Sequence, residues 1–181
     1  MVRLDKSLDP IRRCQSPIRA CRARLIADRV YRGLHCPLCR KQHAALAERL
    51  PDFEALGAAV IAVSMDTATR ARKTVDRWET GRLRIGCNLS PADANLWGLF
   101  ISEGVKESEP PYFAEPAIFL VRPDGTLFAQ FLHTVPFARP RWDGLLEGIA
   151  FVQEDDSPIR GRISTDTKAL SEKLTSPVAP S

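Results

Sequence analysis

Two cysteines separated by two residues stand in the string Gly33-Leu34-His35-Cys36-Pro37-Leu38-Cys39. At the start of a helix that spacing brings both sulfurs within bridging reach across one turn. With Cys36 as N-cap, Pro37 falls at the first helical position, where its missing N–H costs nothing. The free N–H groups of Leu38 and Cys39 then point back at the Cys36 sulfur, and the helix dipole adds positive potential there. Arg32, His35, Arg40 and Lys41 flank the pair. The expectation is a Cys36 thiolate, acidified below the ordinary value of about 8.5, acting as nucleophile. Cys39 is then the resolving thiol that closes a disulfide. Two other readings compete. Paired cysteines can be small buried hydrophobes in a core helix. Alternatively His35, Cys36, Cys39 and His43 offer soft metal ligands, with Cys14, Cys21 or Cys87 needed as a fourth if His35 points away.

The elements that must position this pair follow from hydrophobic period. Leu38, Leu46, Leu50 and Phe53 recur at helical spacing after the cysteines, with Pro51 expected to end or bend the helix. Ala58–Val63 is short, apolar and partly β-branched, as a parallel strand buried on both faces should be. Thr67 or Thr69 caps a charged helix running through Trp78, with Gly81 at its end. Arg84–Leu89 reads as a short strand, and Ser90-Pro91 starts a helix to about Phe100. Ile101–Ala114, polar and without period, reads as a loop or insertion. Ala117–Val121 is a second buried strand, joined through the turn Pro123-Asp124-Gly125-Thr126 to an antiparallel partner, Leu127–His133. Pro140–Val152 makes a last helix with Trp142, Leu145, Leu146, Ile149 and Val152 on one side. The order is that of an α/β protein with a mixed sheet and right-handed crossovers between its parallel strands.

Composition frames this reading. The chain has 181 residues, 44% of them hydrophobic and 27% charged, enough for one core. No apolar run approaches the roughly 18 residues of a membrane helix, and the first residues lack the apolar stretch of a secretory signal, so no membrane role is expected. Five cysteines, an odd number, do not describe a disulfide-stapled scaffold, and we expect a reducing, cytoplasmic setting. The formal charge of +4 is concentrated: Met1–Arg32 holds nine Lys and Arg against three acids, leaving the rest slightly acidic. That arm has no aromatic residue before Tyr31 on which a base could stack, so a solvated basic arm is favoured over nucleic-acid binding or targeting. We expect a poorly ordered arm over 1–24, a folded domain over 25–153 and a disordered tail, rich in Ser, Thr, Pro and charge, over 154–181.

The segments YRGLHCPLC, VIAVSMD, IGCNLSPADANLWGL, EPAIFLVRPDGTLF and VPFARPRW resemble, in order and spacing over about residues 30–152, the signatures of the peroxiredoxin-like branch of the alkyl hydroperoxide reductase and thiol-specific antioxidant (AhpC/TSA) family. The resemblance implies a thioredoxin-like fold, a central mixed β-sheet flanked by helices. It implies that Cys36 is the attacking cysteine and Cys39 its partner, with Gly33, Pro37 and Pro116 lining the substrate. It also implies that Glu115-Pro116 lies in the loop facing the cysteines, where thioredoxin-fold proteins often place a cis proline. Two departures stand out. The position three residues before the attacking cysteine, which in peroxiredoxins carries Thr or Ser, is Gly33. The arginine that precedes the later strand is replaced near Glu115 and Pro116. Peroxide activation depends on such donors.

A further departure lies upstream. The strand expected before the cysteine loop, Leu25-Ile26-Ala27-Asp28-Arg29-Val30-Tyr31, carries two charges, and burying them unpaired is costly. Cys87 is expected in the core and Cys14 and Cys21 in the arm, none with a catalytic role. His43 is expected at the surface, Asp66 as a cap or ligand group at a strand's carboxyl end, and Trp78, Trp97 and Trp142 in packing. The resulting expectation is a thiol oxidoreductase that reduces a peroxide or a disulfide through Cys36 and Cys39. An external thiol reductant, a thioredoxin-like protein or a small thiol, would re-reduce it. No cofactor is expected, since no Gly-rich dinucleotide loop is present. The alternative is a zinc-stabilised or redox-silent thioredoxin-fold binding protein.

Overall fold

The computed structural model describes residues 25–155 and 157–161, so the expected arm over 1–24 and nearly all of the expected tail lie outside the described residues. The apolar runs assemble into a five-stranded sheet in the order β3-β2-β1-β6-β7. β1 (Leu25–Val30), β2 (Ala58–Val63) and β3 (Arg84–Gly86) are parallel, while β6 (Ala117–Val121) runs antiparallel to β1 and pairs with β7 (Leu127–Leu132). α1 (Pro37–Ala55), α2 (Ala68–Arg77), α3 (Pro91–Leu96) and α4 (Trp142–Glu154) complete the chain order. This is the mixed, helix-flanked sheet of a thioredoxin-like α/β fold. Among the described residues no helix is long and apolar enough to cross a membrane.

Strand alternation divides the core between the two faces of the sheet. Val60 and Ala62 join Tyr31, Leu46, Phe53, Leu145 and Ile149 on one face. Ile61 and Val63 join Val30, Trp97 and Phe119 on the other. β2 and β6 are therefore apolar along their whole length because both of their faces are covered.

Six sequence expectations are corrected. Pro51 does not end α1, which runs on to Ala55. The final turn is held by Phe53, fully buried with its ring edge-on to Trp142 at 6.4 Å, and by the Gly57 N–H on the Glu54 carbonyl at 2.9 Å. Leu38 is exposed, and His43 occupies the buried stripe of α1 instead of the surface. β3 stops at Gly86, since Asn88 takes a positive φ of 59° and the next amides turn to the end of β2, Asn88 N–H to Asp66 O and Leu89 N–H to Ser64 O. α3 ends at Leu96, before a Gly98 with φ of 69°. The segment read as a loop contains a small antiparallel pair, β4 (Ile101–Glu103) with β5 (Tyr112–Ala114). Its two- and three-residue apolar pieces are too short for period to reveal.

Other local readings match the structure. Ser90 caps α3 through the Asp93 N–H, Thr67 caps α2 through the Arg70 N–H, and all three tryptophans pack on helices or strands. Because Phe53 anchors the helix end beyond its proline, Phe53→Ala is expected to lower the unfolding free energy by about 3–5 kcal/mol, measured by urea denaturation.

Candidate active site

Cys36 is the N-cap of α1 and Pro37 its first residue, as their types require. The Cys36 sulfur accepts the Cys39 N–H at 3.2 Å, so the two cysteines sit on one turn at the point where the sheet delivers the chain to the helix. Both side chains are buried. Cys36 shares a cleft of about 270 Å³ with Leu34, His35, Pro37, Arg40, Arg77 and Trp78, whereas Cys39 points away from it into the core.

The loop before Cys36 is fixed from the end of β2. Asp66, buried, accepts the Leu34 N–H at 2.7 Å on one carboxylate oxygen and pairs through the other with Arg70 at 2.6 Å. Asp66 is thus neither a helix cap nor an open ligand group. It presses against Gly33, whose φ is +126° and where a Cβ would lie 2.8 Å from the Asp66 Oδ2. Any side chain there must displace the carboxylate that holds the cysteine loop, so this backbone has no room for the hydroxyl-bearing residue that the resemblance implies at this position.

Pro116 is buried, and its carbonyl accepts the His133 N–H at 3.1 Å. Among the described residues no peptide bond is cis, so Glu115-Pro116 is trans. Glu115 is buried, paired with Arg32 at 3.3 Å and accepting the Ser102 hydroxyl at 2.7 Å. Arg32 also covers the Phe113 ring at 4.4 Å, and His35 packs against that ring at a tilt of 57°, with centroids 4.7 Å apart. The β4–β5 pair is therefore tied to the loop just ahead of the cysteines.

The electrostatics of the pair reverse the sequence expectation. Among the described residues, Arg32, Arg40 and Lys41 make no hydrogen bond to either sulfur. Instead Arg139, from the loop before α4, brings both of its terminal nitrogens to 3.5 Å from the Cys39 sulfur. Arg29, buried on β1, hydrogen-bonds the Gln42 side-chain oxygen at 2.6 Å, and Arg139 donates to the same oxygen at 2.6 Å. Burial alone would raise the Cys39 thiol, but the Cys36 thiol hydrogen bond and the charges of Arg139 and Arg29 outweigh it and hold Cys39 well below the ordinary thiol value. Cys36 moves the opposite way: its S–H donates to Cys39, which favours the protonated form, and burial adds to the effect. Burial also draws the Arg29 guanidinium down to about 10, still charged at neutral pH, with its face 5.2 Å from the Trp142 ring.

His43 lies beneath this group. Its Nδ1 lies 2.8 Å from the Cys39 carbonyl, an acceptor, and 3.3 Å from an Arg29 terminal nitrogen, a donor. Burial first, and Arg29 second, push its pKa well below the histidine range. Among the described residues no group of three or more His, Cys, Asp or Glu is placed to hold a metal ion. Cys87 is fully buried in the core, and Cys14 and Cys21 lie outside the described residues.

Gln42, Arg139 and the role of Arg29 were not singled out from sequence. Gln42 follows Cys39 by three residues on the same helix face, a spacing that could have flagged it. Arg29 was visible only as an apparent defect in a buried strand. Arg139 is 100 residues from Cys39, and no local pattern links them.

Comparisons with known proteins agree with this architecture. The model of the AhpC/TSA family matches residues 29–130. Among solved structures, AhpC of Enterococcus faecalis superposes with a TM-score of 0.60 at 18% identity, covering 75% of this chain and 80% of that one. The reduced 2-Cys peroxiredoxin of Plasmodium vivax gives 0.58 at 12% identity, over 74% and 79%. The bacterioferritin comigratory protein of Xanthomonas campestris, described for its alkyl peroxide reduction activity, gives 0.57 at 15% identity, over 80% and 86%. No curated protein matches the sequence.

Two predictions follow from this geometry. Gly33→Ala forces a Cβ into the left-handed backbone beside Asp66 and is expected to destabilise the fold by more than about 1 kcal/mol, read by thermal and urea unfolding. A histidine buried neutral binds its proton more readily in the unfolded chain, so stability falls as pH drops below about 6.5, by up to about 1.4 kcal/mol per pH unit. His35 and Cys39 act in the same direction. Comparing His43→Gln with the parent between pH 7 and 5 isolates the His43 share as a shallower slope in the variant.

Proposed function

The chain belongs to the AhpC/TSA family, and on that premise we propose that it is a thiol oxidoreductase that reduces a peroxide or a disulfide through Cys36 and Cys39. The observation that carries this reading is the division of labour within one helical turn: Cys36 opens to the cleft, while Cys39 sits behind it, hydrogen-bonded to it and flanked by two guanidinium groups.

With a peroxide ROOH, the Cys36 sulfur takes the terminal oxygen with its hydrogen, and its own proton passes to the departing RO⁻, giving a Cys36 sulfenic acid and ROH. The Cys39 thiolate then attacks the Cys36 sulfur, forming the Cys36–Cys39 disulfide and releasing hydroxide. With a disulfide RSSR, attack by Cys36 gives a mixed disulfide and RSH, and Cys39 displaces the second RS⁻. An external dithiol or small thiol supplies the two electrons that restore the pair. Gly33, Pro37 and Pro116 are proposed to bound the substrate; of the three, Pro37 lines the cleft beside Cys36.

Adding one equivalent of hydrogen peroxide, or separately of a small disulfide reagent, to the reduced protein and mapping disulfides by peptide mass spectrometry tests this. A Cys36–Cys39 bridge is expected, abolished in Cys36→Ser. In Cys39→Ser the disulfide reagent is expected to stay attached to Cys36. Bridging with peroxide identifies peroxide as the substrate class, and bridging only with the disulfide reagent identifies a dithiol exchanger. No bridge with either overturns the proposal.

A further inference from the structure

Arg29 and Arg139 both reach the same side-chain oxygen, that of Gln42, at 2.6 Å. Two guanidinium groups converging on one neutral acceptor repel each other unless an anion lies between them. Among the described residues neither is ion-paired to a carboxylate. The remaining groups around them are Cys39, Cys36, the neutral His43, Tyr31 and the Trp142 ring. Of these, the Cys39 sulfur is the one that both Arg139 terminal nitrogens address, at 3.5 Å each. The loop that delivers Arg139 holds the preceding residue, Ala138, at a φ of 55°, an uncommon conformation for alanine.

We propose that Arg139, oriented by Gln42 and reinforced by Arg29, is a positioning residue that keeps Cys39 as the thiolate of the reduced pair and as the leaving group when an external thiol opens the disulfide. This rests on the proposed redox role of the two cysteines. In the opening step an external thiolate RS⁻ attacks the Cys36 sulfur from the cleft, the S–S bond breaks, and the electron pair stays on Cys39 between the arginines. A second RSH then displaces Cys36 from the mixed disulfide, giving RSSR and returning a proton to Cys36. The pair ends as Cys36 thiol and Cys39 thiolate, which is the charge arrangement the reduced site already has. Stabilising the leaving sulfur favours reduction, so the same contact makes the disulfide more oxidising.

The test is a pH titration of thiolate absorbance at 240 nm on the reduced protein, which requires no substrate and so stands apart from the bridging experiment. Near neutral pH the parent and Cys36→Ser are expected to carry one thiolate that Cys39→Ser lacks. Arg139→Met is expected to raise the midpoint by one unit or more, and Arg139→Lys, which keeps the charge without the planar fork, to restore part of it. Equilibration of the disulfide with a thiol buffer is expected to show the reduced form disfavoured about tenfold in Arg139→Met, a shift of about 30 mV toward lower potential. Circular dichroism establishes that the variants are folded. If Arg139→Met does not fold, Gln42→Met, expected to shift the midpoint in the same direction, takes its place. A thiolate that survives Cys39→Ser and is lost in Cys36→Ser overturns the assignment. So does an unchanged midpoint in folded Arg139→Met or Gln42→Met.

Discussion

A guanidinium buried in the middle strand of a sheet must find either an anion or a complete set of acceptors, and Arg29 is the constraint on which this site is built. It cannot reach solvent, it stays charged at neutral pH, and its neighbours on β2 and β6 are apolar. The solution lies across the face of the sheet in the first turns of α1, where Gln42 accepts its hydrogen bond and Cys39 provides ionisable sulfur. Arg139 then enters the same cluster from the far end of the domain. The helix, the strand and the last loop are thereby held to one another by the groups that set the charge of the thiol pair.

This arrangement separates two properties that a helix N-terminus usually gives to one sulfur. The free amide of Cys39 favours negative charge on Cys36, and this preference alone would make Cys36 the acidic cysteine. One amide at 3.2 Å competes with two guanidinium groups near Cys39, and in a buried site full charges outweigh a partial one. Access and charge therefore fall on different atoms, with Cys36 at the cleft and the negative charge stored one turn behind it.

Most of the frame was legible in the amino-acid sequence, because β2 and β6 are uninterrupted apolar runs and the caps at Thr67 and Ser90 follow local rules. The cysteine turn was legible for the same reason, its geometry being settled by Cys36 and Pro37 alone. What sequence did not show depends on contacts between distant segments. Arg29 read as a flaw in a strand because its partners arrive from residues 42 and 139, and His43 read as a surface residue because only the folded chain places Tyr31 and Trp78 against it. Pro51 as a helix end is the opposite case: its cost is local, and α1 continues past it to the buried Phe53.

The register of β1 carries a consequence of its own. Arg29 stands opposite Ala62 on one side and Ile118 on the other, and its side chain reaches Gln42 only because that register points it toward α1. A slip by one residue would turn every side chain of the strand to the opposite face and bring Asp28 or Val30 to the place of the guanidinium. Pairing of the central strand and assembly of the charge beside the cysteines are thus a single event. A chain that closes its sheet out of step would leave Cys39 without the Arg29 charge, so strand register and the electrostatics of the thiol pair stand or fall together.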